Sequence, residues 1–160
     1  MNDKFTHIKG NNLNMVNISA KKKTFRIAKA QATIKFNDKI FKRLIEKGSP
    51  KGEIFSTARI AGIQAAKKTH HLIPLCHNIS LDSINIDFEI LKKKNVINVI
   101  SDCQTFSKTG VEMEAIIAVN IAAITIYDMC KSLSKSIKIL EIKLISKSGG
   151  KSKEYNDSKL

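Results

Sequence analysis

Residues 112–133 have helical spacing and almost no polar side chain in their middle. A helix that is apolar nearly all round must be buried on most sides, so other elements have to be laid against it. Its charges stand only at the two ends, Glu112 and Glu114 at one and Asp128 and Lys131 at the other. Charge at the edge of a core costs free energy unless it is paired or used, which makes these ends the first place to look for chemistry.

The remaining patterns supply the partners for that helix. In residues 25–36, Ala28, Ala30, Ala32, Ile34 and Phe36 alternate with Lys29, Gln31, Thr33 and Lys35, which predicts a half-buried strand. Asn37 then offers an N-cap to a short helix through Ile40, Phe41, Leu44 and Ile45, stopped at residues 48–50. A second helix over residues 53–68 carries Ala58, Ala61, Gly62, Ala65 and Ala66, small enough to permit close packing. Alternation at residues 84–90, a Lys-rich turn at 92–95 and a run at 96–104 predict a hairpin, and residues 137–145 a last strand. The order β-α-α-β-β-α-β, with no repeat and no linker, predicts one antiparallel α+β domain over residues 1–160, with residues 1–14 and 152–160 flexible.

Three cysteines, odd in number and without a CxxC pair, argue against a disulfide framework and a zinc ribbon. The first residues lack the apolar stretch of a signal peptide, and no apolar run is read as long enough to span a bilayer. The expectation is a cytoplasmic protein with reduced thiols. A net charge of +14 favours anionic ligands. Nearly all of it is Lys rather than Arg, with no aromatic stacking motif or Cys/His finger, so a small anionic molecule is favoured over nucleic acid.

Asp128 and Lys131 are three apart on a helix and therefore neighbours, an arrangement that serves either as a surface ion pair or as a proton donor and acceptor pair at a core edge. Cys76 and His77 follow an apolar run and read equally as structural or as substrate-contacting. Residues 109–112 match a capping box, with Thr109 as cap and Glu112 at the third helical position. Glu114 is left unexplained by that box, and residues two apart point to nearly opposite sides of a helix. Both carboxylates could then serve one site only if the segment were extended. Lys147 precedes two glycines that would let backbone amides approach a phosphate. Gly150-Lys151-Ser152 is not the end of a Walker A loop, because no leading glycine or following helix is present.

Five co-linear segments, KGEIFSTARIAGIQAAK (residues 51–67), LIPLCH (72–77), KTGVEMEA (108–115), AITIYDMCK (123–131) and KSGGKS (147–152), resemble the cyclic pyranopterin monophosphate synthase family, the molybdenum cofactor biosynthesis proteins C. The resemblance implies a ferredoxin-like α+β fold. It also implies conversion of 3',8-cyclo-7,8-dihydroguanosine 5'-triphosphate to cyclic pyranopterin monophosphate plus diphosphate, a lyase reaction. Homohexamers, as trimers of dimers with sites shared between subunits, come with it. Carried onto this chain, the catalytic residues are Asp128, Lys131 and Lys51. Leu75, Cys76, His77, Met113 and Glu114 contact substrate, and Glu112 and Lys147 belong to the same motifs. No resident cofactor or metal is implied, and a Mg²⁺ requirement is left open. Two positions depart from the family pattern: Asn78 stands where Pro commonly follows LCH, and Lys153 where Gly usually follows KSGGKS. The alternative reading is a basic domain that binds nucleic acid or another polyanion without turnover.

Overall fold

The computed structural model describes residues 7–48, 53–150 and 154–157. A small hairpin, β1 (Ile8–Lys9) and β2 (Asn12–Leu13), precedes the long strand β3 (Thr24–Lys35). Helices α1 (Asp38–Lys47), α2 (Ile54–Lys67) and the single turn α3 (Thr69–Leu72) follow. The chain continues through β4 (Ser83–Leu91), a 3₁₀ turn at Lys92–Lys94, β5 (Val96–Ser107), α4 (Glu112–Cys130), β6 (Lys138–Ser148) and β7 (Tyr155–Asn156). Of the segments expected to be flexible, 1–14 and 152–160, residues 8–13 form the hairpin and residues 155–156 pair with β6, while residues 1–6, 152–153 and 158–160 lie outside the described residues.

The main sheet has the order β4-β5-β3-β6-β7 and every pair in it is antiparallel. Strands β3 and β4, linked through helices, are separated by β5, and β6 closes on the far side of β3. This split β-α-β arrangement, repeated as β-α-β-β-α-β, is ferredoxin-like.

Strand β3 follows its alternation: Ala28, Ala30, Ala32 and Ile34 are fully buried. Three alanines in a row on one face leave room for α4 to lie close to the sheet, where it packs on β3, β5 and β6. Asn37 caps α1 as expected, its side chain accepting from the Ile40 amide at 2.9 Å. Gly48 ends α1 with φ of 72°, a left-handed value that glycine adopts without a Cβ penalty.

Helix α2 crosses α4 at Gly62. A Cβ placed there would come within 2.7 Å of the Ala118 carbonyl oxygen and 3.2 Å of the Ala122 Cβ, so only glycine permits this approach. The middle of α4 packs on the sheet and on α2, with Ala115, Ala118, Val119, Ala122, Ala123 and Ile126 fully buried, while Ile124 is left 46% exposed.

Two expectations are corrected here. Helix α4, 19 residues with a mean hydropathy of 1.5, is by length and composition apolar enough to cross a bilayer, contrary to the reading of the sequence. Half of it is buried against the sheet and α2, which accounts for its apolar character. The last long strand also runs to Ser148 rather than residue 145, because Ser146 and Lys147 pair with β7 on one side while β3 continues on the other.

Candidate active site

Antiparallel pairing brings four chain ends together at one edge of the sheet. The start of β3 lies beside the end of β5, with Thr24 opposite Ser107, and beside the end of β6, with Ile27 opposite Ser148. Only residues 108–111 separate the end of β5 from the start of α4, so the helix starts at the same edge. The loop after α3 is drawn in by the Thr105 hydroxyl, which donates to the Ser80 carbonyl at 2.6 Å.

Between these elements lies a cavity of about 980 Å³. Leu75, Cys76, His77, Met113 and Glu114, the residues expected to contact substrate, all line it, as do Glu112 and Lys147 from the same motifs. Lys51 lies outside the described residues.

The carboxylates at the head of α4 differ from the sequence reading. The N-cap position is Val111, no side chain caps the helix, and Glu112 is the first helical residue rather than the third. The capping box is therefore absent. The Glu112 carboxylate folds back over Gly110, where a Cβ would stand 2.0 Å from one of its oxygens, and accepts from the Lys147 ammonium at 2.9 Å. A side chain at the first helical position projects past the helix end, so Glu112 and Glu114 share one cavity without any extended segment.

Glu114 is only 5% exposed. Burial, helped by the nearby charge of Glu112, raises its carboxyl to about 7. It thus sits near the pH at which a carboxyl can either hold or release a proton. Burial and then Glu114 also raise the two thiols nearby, Cys76 and Cys103, the latter to about 12. Neither is poised as a thiolate nucleophile. His77 Nε2 lies 2.7 Å from the Val16 carbonyl, and since a carbonyl can only accept, that nitrogen carries the proton.

Asp128 and Lys131 form the expected ion pair, at 2.6 Å. They lie at the opposite end of α4 from the cavity: Asp128 is 14 residues beyond Glu114 on one helix, about 21 Å along its axis at roughly 1.5 Å per residue. Both side chains are about half exposed, so within one chain the pair stands at the edge of the core and in contact with solvent. The Asp128 carboxylate, through its hydrogen bond and charge, raises the Lys131 ammonium and keeps it charged.

The sequence reading overlooked Arg26. It is in phase with Ala28 and Ala30 and therefore faces inward, at the point where β3 leaves the core and borders the cavity. Arg26 is 9% exposed, and its guanidinium donates to the carbonyls of Gly149 at 3.3 Å and Lys108 at 3.5 Å. Gly149 and Gly150, with φ of 92° and 83°, make room for it; a Cβ on Gly150 would be 1.8 Å from an Arg26 nitrogen. An inward charge breaking an apolar alternation was the signal available in the sequence. Lys21, Lys22 and Lys108 also border the cavity and carry no periodicity that would have marked them.

A cavity walled by one buried arginine and several lysines, with one carboxyl near neutrality, suits a polyanionic small molecule that undergoes proton transfer. The MoaC family model matches residues 15–150, which include all of these cavity residues together with Asp128 and Lys131. This match places the protein in molybdenum cofactor biosynthesis with a small nucleotide-derived substrate, and the chain belongs to the MoaC family.

Proposed function

We propose that the protein converts 3',8-cyclo-7,8-dihydroguanosine 5'-triphosphate to cyclic pyranopterin monophosphate and diphosphate, as a cytoplasmic lyase without a resident cofactor. The observation that carries this reading is the convergence of Leu75, Cys76, His77, Glu112, Met113, Glu114 and Lys147 on one cavity that also holds the buried Arg26. Closing a cyclic phosphate requires an alcohol oxygen to attack phosphorus while diphosphate departs, so cations must hold the triphosphate in line and offset charge on the leaving group. Arg26 and Lys147 supply fixed positive charge at the cavity, and Lys51 and Lys131 are assigned the same task. Rearranging the purine-derived rings needs proton transfers, assigned to Asp128 as general acid and base.

The length of α4 supports a site shared between subunits. Asp128 cannot reach the cavity bordered by its own Glu114 across about 21 Å. In a hexamer built as a trimer of dimers, a two-fold partner can bring its own Asp128 and Lys131 to that cavity.

Incubating the purified protein with the cyclic triphosphate and following pyranopterin and diphosphate tests the reading. Release of both supports it. Binding that weakens steeply with salt and extends to any nucleic acid, with no turnover, would instead support a polyanion-binding domain.

A further inference from the structure

Residues 14–23 join the small hairpin to β3 and contain no helix or strand. Only Val16 and Ile18 among them are partly buried, and the other eight residues are exposed. Yet this stretch is one wall of the cavity: Val16, Ile18, Ala20, Lys21 and Lys22 all border it. A segment with so little buried surface opens at low free-energy cost unless specific bonds hold it.

Two side chains from the body of the protein bond to its backbone. His77 Nε2 donates to the Val16 carbonyl at 2.7 Å, and the Lys108 ammonium donates to the Ser19 carbonyl at 2.8 Å. Lys108 is itself anchored, since it follows the end of β5 and its own carbonyl accepts from Arg26 at 3.5 Å. The Ser19 contact lies two residues before Lys21 and three before Lys22. Fixing that carbonyl sets where the two lysines enter the cavity.

We propose that Lys108 is a positioning residue that pins residues 14–23 through the Ser19 carbonyl and so holds Lys21 and Lys22 at the cavity wall. A lysine whose ammonium is spent on a backbone carbonyl does not need to touch the ligand to affect its binding. The inference rests on the cavity being the anion-binding site proposed above, but the pinning itself can be read without any turnover.

Limited trypsin digestion, followed by mass spectrometry of the fragments cut at residues 21–23, is the test. Lys108→Met should raise the initial cleavage rate there about fivefold, the population change expected when one typical hydrogen bond is lost. Cleavage at Lys92–Lys94 should be unchanged, and Lys108→Arg, which keeps a charged donor, should stay near the parent rate. Affinity for inorganic triphosphate, measured by calorimetry, should fall severalfold in Lys108→Met and recover in Lys108→Arg. If Lys108→Met weakens triphosphate binding while cleavage at residues 21–23 stays at the parent rate, Lys108 is a direct ligand contact and the positioning role is wrong. Unchanged cleavage and unchanged affinity together also overturn it. Should Lys108→Met lose its circular dichroism signal, Lys108→Gln takes its place in the same two measurements. Failure of the parent protein to make pyranopterin would refute the proposed reaction but leave the digestion result intact, so the two failures are distinguishable.

Discussion

The Lys147 ammonium, near the end of β6, lies 2.9 Å from the carboxylate of Glu112, the first residue of α4, and both side chains are roughly 70% covered. An incoming phosphate must either take Lys147 from Glu112 or settle beside a pair that is already neutral. Glu112→Gln should therefore tighten binding of inorganic triphosphate by about fivefold, and Lys147→Met should loosen it by a similar factor, as expected for a charge-assisted hydrogen bond in a partly covered site. Calorimetric titration of both single variants and the double variant gives the coupling between them. Opposite signs for the two single changes are the expected outcome; equal losses would mean that the pair acts as one structural unit.

Glu114 makes stability depend on pH in a definite direction. Its carboxyl is raised to about 7 in the folded protein from an ordinary value near 4.5. Between those two values the folded chain holds more protons than the unfolded chain, so stability falls as pH rises. The contribution is complete below about 4.5 and lost above about 7. Glu114→Gln removes the titrating group, so the variant should lose less stability than the parent between pH 5 and pH 8, by at most about 3 kcal/mol for a shift of this size. Urea denaturation of both proteins at the two pH values measures the difference, and parallel losses would contradict the assignment.

Asp128→Asn should leave the fold intact, because the side chain is half exposed and the change is nearly isosteric. Turnover should fall at least about a hundredfold if Asp128 is the general acid and base. Mixing this variant with an inactive Glu114→Ala protein under conditions of subunit exchange should restore part of the activity, since one interface would then combine an intact cavity with an intact Asp128. Mixed oligomers seen by mass spectrometry without any recovered activity would sink the shared-site reading.

Gly62→Ala should lower stability by about 1–3 kcal/mol, the usual cost of forcing a methyl group into a full core. The obstacle is the Ala118 backbone oxygen, 2.7 Å from the new carbon, which cannot turn aside as a side chain can. Thermal unfolding monitored by circular dichroism checks it.

The fold was legible wherever side chains repeat with a clear period. Alternation along β3, the hairpin around Lys92–Lys94 and the Asn37 cap all appear where the sequence placed them. Glu112 was misplaced because a Thr three residues before a Glu was taken to fix the helix start, whereas α4 begins only at Glu112 itself. Arg26 was not legible because a charge at the end of an apolar alternation reads as the point where the buried face stops, whereas the cavity keeps it inside. Residues 14–23 have no period at all, and their place beside the cavity follows only from tertiary contacts with His77 and Lys108. The separation of Asp128 from Glu114 follows from a helix rise and the number of residues between them.

The central position of β3 has a consequence for how the protein is made. Synthesis produces this strand before either of its neighbours, β5 and β6, and its last partner, Ser148, emerges only after α4. A growing chain on the ribosome must therefore carry β3 with both edges open until β5 and β6 have emerged, a period in which sticky strands invite association with other chains. Alanine has low strand propensity and little apolar surface, so Ala28, Ala30 and Ala32 keep the waiting strand a poor template. The residues that let α4 approach the finished sheet thus also guard the unfinished one, and replacing them with valine should show first as lost yield of soluble protein during synthesis.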